Sequence, residues 1–94
     1  MTTEYRTVNA DLSAALITVG ARLRALQTSD GVTIEFVFDP EVENFDDGLR
    51  VPVTSIVEQW SRNDLLVDAS TLSRNIKRIY KQVRDKKREF QNSR

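Results

Sequence analysis

The 94 residues make one domain's worth of chain, enough to bury a single modest core. Cysteine and histidine are absent, which excludes disulfides, zinc fingers, thiolate chemistry and Ser-His or Cys-His catalysis. Fourteen basic residues balance fourteen acidic ones, but the balance is between ends: residues 1–69 hold five Arg against twelve acids, net −7, and residues 70–94 hold nine Lys or Arg against two acids, net +7.

Such a division points to an interaction tail, or to a handshake between an acidic body and a basic helix. No apolar run is long enough to cross a bilayer. The opening MTTEYRTVN has neither the basic start nor the apolar stretch of a signal peptide, so a cytoplasmic location without membrane contact is expected.

Tyr5–Val8 is a short β-prone run. Asn9 then reads as a helix cap, with Asp11 adding a favourable charge in the first turn. Leu12, Ala15, Leu16 and Val19 recur on one helical face, and Gly20 sits where a helix stops. From Arg22 to Phe38 the sequence alternates on both sides of Ser29-Asp30-Gly31. Leu23 and Ala25 lie before the turn, and Val32, Ile34, Phe36 and Phe38 after it. This predicts a β-hairpin whose Phe36 and Phe38 face covers the first helix.

Residues 39–48, DPEVENFDDG, have no periodicity and are expected to form an acidic loop. Asp39, Glu41, Glu43, Asp46 and Asp47 do not follow the EF-hand pattern, so a solvated loop is expected there rather than a metal site. Phe45 amid these acids could anchor the loop or touch a partner. Leu49, Val51 and Val53 suit one more short strand. Thr54 is placed to cap a second helix with Val53, Ile56, Val57 and Trp60 on its inner face, ending at Asn63-Asp64. Trp60 reads as a core residue.

Asp68 is the N-cap expected for a last helix over residues 69–94, free of Gly and Pro. On a wheel with Ile76 at zero, Leu72, Ile79, Tyr80, Val83 and Phe90 fall within about 60° and form an apolar stripe expected to pack on the sheet. Arg74, Lys77, Arg78, Lys81, Arg84 and Arg88 fill the opposite side in one arc. Lys87 lands on the apolar side and weakens the stripe. Asp85 has the spacing to reach Lys81 and Arg88, and Glu89 to reach Lys86. Lys77 with Lys81, Arg74 with Arg78, and Arg84 with Arg88 are like-charge neighbours. Three counter-surfaces suit a one-sign face: a nucleic-acid backbone, an acidic protein surface, and the chain's own acids in the same or another copy. A solvated face is the fourth reading. Tyr80 could stack on a base, or belong to the edge of the core.

No serine has a histidine to activate it, and no glycine-rich phosphate loop is present. Glu35 and Asp39 share one side of an extended strand, but no lysine follows at the spacing of a metal-dependent nuclease. No catalytic residue, cofactor or metal is expected.

The order of motifs resembles a family of small domains of unknown function found in bacterial, phage and mobile-element proteins. The likeness covers about residues 5–84. It rests on DLSAALITVG ending in Gly20, the strand FVFD with Phe36, Phe38 and Asp39, then Trp60, and LLVDASTLSRNIKRIYKQV with Val67 and Asp68. It implies a compact α+β module and a phage or mobile-element accessory role, with no activity to carry over.

The reading is therefore one α+β domain over residues 1–94. A small antiparallel sheet with a central hairpin packs against three helices, the C-terminal one long and basic. The expected function is non-catalytic binding of nucleic-acid backbone through Arg74, Lys77, Arg78, Lys81, Arg84 and Arg88. The alternative is a protein-interaction or oligomerisation module, an adaptor or inhibitor, using the same helix or the acidic loop 39–48.

Overall fold

The computed structural model describes residues 3–28, 30–43 and 48–92, with side chains described through Glu89. The elements in chain order are β1 (Tyr5–Thr7), α1 (Ala10–Thr18), β2 (Leu23–Gln27), β3 (Glu35–Phe38), β4 (Glu41–Glu43), β5 (Arg50–Pro52), α2 (Val53–Ser61) and α3 (Ala69–Asn92). Two antiparallel sheets result, β1-β3-β2 and β4-β5. The architecture is α+β, as the sequence predicts.

Local chemistry sets the helix ends. The Asn9 side chain accepts a hydrogen bond from the Leu12 amide at 3.0 Å, satisfying one of the free donors of α1. At the other end the Gly20 amide bonds Ile17 O at 3.0 Å and the Ala21 amide bonds Leu16 O at 2.9 Å. This is a Schellman closure, and Gly20 at φ 101° takes the left-handed position it requires. α2 ends the same way on Asn63, φ 60°, with Asp64 N bonded to Gln59 O at 2.8 Å. The expected Thr54 cap does not form. α2 starts two residues earlier, at Val53, with Pro52 in the N-cap position and no side-chain cap. Val53 is fully buried, and its amide bonds Pro40 O at 2.8 Å, which ties the start of α2 to the approach to β4.

The hairpin forms with β3 in the centre of its sheet. Phe36 faces Leu26 on one side and Thr7 on the other; Phe38 faces Leu23 and Tyr5. The strand starts at Glu35 rather than at Val32. The Asp30 carboxylate accepts from the Val32 and Thr33 amides, both at 2.8 Å, so these donors serve the turn and not the ladder. Val32 is exposed as a result. Ser29 of this turn lies outside the described residues. Val37, on the polar side by alternation, is buried because Arg6 and Ala25 flank it in register on the two neighbouring strands.

The acidic segment is only partly a loop. Glu41–Glu43 is a strand, paired through Val42↔Val51 with β5. Val42 is buried between two outward glutamates, a period-two pattern too short to stand out in the sequence. Phe45, Asp46 and Asp47 lie outside the described residues.

One apolar cluster joins the elements. Leu12, Ala14 and Leu16 of α1 meet Phe36 and Phe38 of β3, Val42 of β4, Val53 and Ile56 of α2, and Ile79 of α3. Five consecutive residues of α1, Leu12–Leu16, are buried, so this helix is covered on all sides. Trp60 is half-buried against the cluster. No helix among the described residues is long and apolar enough to cross a membrane.

Candidate functional site

α3 opens on the cap expected of it. The Asp68 carboxylate accepts from the Thr71 amide at 2.8 Å and from the Thr71 hydroxyl at 2.6 Å. Those bonds, the hydroxyl's first, hold its pKa below the usual carboxylate value. The helix then runs 24 residues, about 36 Å at ~1.5 Å each.

Its packing partner differs from the expectation. α3 lies most closely against α1, not on the sheet. Two polar contacts define the arrangement. Asn75 Nδ2 donates to Thr18 Oγ1 at 3.0 Å, at the last residue of α1. The Tyr80 hydroxyl donates to Asp11 Oδ1 at 3.1 Å, in the first turn of α1. The two helices are therefore antiparallel, and the nine residues of α1 face only the first half of α3.

The buried line of α3 is rotated from the apolar stripe. Ile79 and Asn75 are its buried positions, while Leu72, Ile76 and Val83 are half-buried. Asn75 lies on this line although it is polar, because Thr18 supplies a partner. The line through Asn75 and Ile79 sits roughly opposite the middle of the basic arc on the wheel. Arg74, Lys77, Arg78, Lys81, Arg84 and Arg88 are all exposed.

None of these six forms an ion pair among the described residues. The Asp85 bridges that spacing allowed to Lys81 and Arg88 are not made; Lys86 and Glu89 pair at 3.9 Å. Arg74 acts at a distance on Asp68, helping to lower its pKa. Among the described residues no ion pair joins the acidic body to these six, and some of the body's acids are engaged elsewhere. Asp39 is bound by Arg24, which raises the guanidinium pKa. Glu35 accepts from Gln27 at 2.8 Å and lies 3.6 Å from Arg6. The six cations stretch about 21 Å along the axis, and Asp85, at about 180° on the wheel, lies within their arc without pairing with any of them among the described residues.

Tyr80 borders the strip and is 48% exposed, but its hydroxyl is tethered to Asp11, which raises the phenol pKa. Lys87, read in the sequence as a flaw in the apolar stripe, is exposed and makes no ion pair among the described residues. Val83 is the last α3 side chain packed on the core among the described residues. From Arg84 onward the helix projects, so Lys87 has no core to disturb. A helix much longer than any other element was the available signal for this.

No protein-family model, curated protein or solved structure compared with this chain matches it.

A cleft of about 470 Å³ beside β2 and β4 is lined by Arg22, Arg24, Arg50, Asp39, Glu41 and Glu43. Three cations face three carboxylates, and Arg24 is already bound to Asp39. Its charge is balanced, whereas that of the α3 strip is not. Among the described residues no group of three or more acidic side chains is placed to hold a metal ion.

Proposed function

We propose that this protein binds nucleic-acid backbone, without catalysis, through Arg74, Lys77, Arg78, Lys81, Arg84 and Arg88. The carrying observation is that all six are exposed on one face of α3 and none forms an ion pair among the described residues. Each like-charge neighbour pair at helical spacing costs about 0.2–0.5 kcal/mol in the free protein. Phosphates along the strip would relieve that repulsion and release condensed counterions. The contacts would position the backbone and read little sequence, since the strip holds Lys and Arg and no Asn or Gln. An accessory role in a phage or mobile element would suit such a non-catalytic module.

The test is a gel shift at low salt. Binding should weaken steeply as salt rises. The triple reversal Lys77→Glu, Lys81→Glu, Arg84→Glu should abolish it with the circular dichroism spectrum unchanged. No shift at micromolar protein rejects the proposal.

A second reading has one observation in its favour. Among the described residues no ion pair joins the −7 body to the six cations of the +7 end, which leaves the basic strip of one copy to meet the acidic body of another. Two different patches would meet, which makes the contact head-to-tail. Light scattering decides it: a monomer at all concentrations in low salt rejects self-association.

A further inference from the structure

A groove of about 500 Å³ opens where α3 begins, between the end of α1, β4, β5, α2 and the link from α2 to α3. Val19, Val42, Ile56 and Leu65 give it apolar walls. Leu66, in the same lining, is 94% exposed, the most exposed large apolar side chain among the described residues. A leucine held in water forgoes the free energy that burial would return.

The charged lining has one sign. Glu43 and Asp68 face the groove, and no Lys or Arg among the described residues lines it. Glu43 makes no ion pair among the described residues. Asp68 caps α3, and its bonds from Thr71 favour the ionised carboxylate.

The other end of α3 has the complementary chemistry. Past Val83 the helix leaves the core, and Arg84, Lys87 and Arg88 are exposed without ion pairs among the described residues. With Ile76 at zero they lie at about 80°, 20° and 120°, on one flank. Asp85 and Glu89, at about 180° and 220°, lie on the other. The end thus has a single basic side to offer an acidic rim. Its Lys and Arg stems are aliphatic and can lie along apolar walls while the charged heads reach carboxylates. It cannot reach the groove of its own chain. Thr71 lines that groove, and Arg84 stands about 20 Å farther along the same helix.

We infer that the groove receives the projecting end of α3 from a second copy, with the flank of Arg84, Lys87 and Arg88 against Glu43 and Asp68, and Leu66 packed on their stems. This rests on the self-association reading above and names the surface of the acidic body that the basic end meets. One helix end in one groove is a contact smaller than the ~1,200 Å² at which standard interfaces begin. The association is therefore weak, and it is screened by salt.

The experiment is sedimentation velocity of the full chain at low salt over a concentration series. One variant, Glu43→Gln with Leu66→Ser, alters the groove. A second, Arg84→Gln with Lys87→Gln and Arg88→Gln, alters the end. All five side chains are exposed, so both proteins should keep the wild-type circular dichroism spectrum. Each alone should associate at least about tenfold more weakly than wild type. Their equimolar mixture should regain a 1:1 complex, because each supplies the part that the other lacks. Either variant associating as tightly as wild type overturns the inference and leaves the self-association reading standing. So does a mixture no more associated than its components. A wild type that is monomeric at every concentration rejects that reading and the inference with it.

Discussion

Asn75 of α3 donates a hydrogen bond to the Thr18 hydroxyl of α1 at 3.0 Å, and that hydroxyl donates to Ala14 O at 2.7 Å. The first of these bonds joins residues 57 positions apart. It sets both the register and the rotation of α3, and so decides which side of the basic helix faces out. Removing the donor by Asn75→Ala should cost about 1–2 kcal/mol, since the bond is lost and a small void opens. Urea denaturation should register this as a lower midpoint with an unchanged slope.

Burial along α3 ranks its apolar side chains. Ile79 is 1% exposed within the common core, so Ile79→Ala should lose about 2–5 kcal/mol. Leu66, in the link between α2 and α3, is 94% exposed, and Leu66→Ala should change stability by no more than about 0.5 kcal/mol. Thermal melts of the two variants should therefore differ widely. Similar melting temperatures would contradict the packing described above.

The helix ends offer a matched set. Asn9→Ala removes the acceptor for the Leu12 amide and should cost about 1 kcal/mol. Gly20→Ala forces a Cβ into the left-handed position at φ 101° and should cost about 1–2 kcal/mol. Asn63→Gly should act in the other direction, since a non-glycine residue already occupies φ 60° there, and raise stability by under ~1 kcal/mol. Denaturant titrations resolve all three signs.

Two carboxylates make stability depend on acid. Asp30 accepts from the Thr33 and Val32 amides and the Thr28 hydroxyl, which lower its pKa to about 2. Asp68 is lowered by Thr71. A group depressed in the folded state contributes fully above its unfolded value, near ~3.9, and loses that contribution as pH falls through the folded value. Stability should thus be level from neutral pH to the unfolded value and fall below it. Asp30→Asn cannot titrate. The melting-temperature gap between wild type and this variant should narrow from about pH 4 toward pH 2. A gap constant over that range would show that the turn does not depend on the charge.

What was legible in the sequence was whatever depends on near neighbours. The Asn9 and Asp68 caps bond amides three residues ahead, and the Gly20 stop is closed by carbonyls three and five residues behind. The 22–38 hairpin and the charge division are likewise written in short spacings. Two short-range readings failed for local reasons. Asp30 took the amides that would have begun β3 at Val32, and one valine between two glutamates was too little pattern to mark β4.

The sequence by itself determined the helices, the hairpin and the gathering of positive charge on one side of the last helix, because periodicity and capping act within a few residues. Only the tertiary structure decided that α3 packs on α1, that its buried line runs through Asn75 and Ile79, and that its end projects with Lys87 exposed. Those facts depend on which surfaces meet across the chain, as Thr18 meets Asn75 and Asp11 meets Tyr80. A helical wheel assigns an angle to each side chain but not the neighbour that covers it.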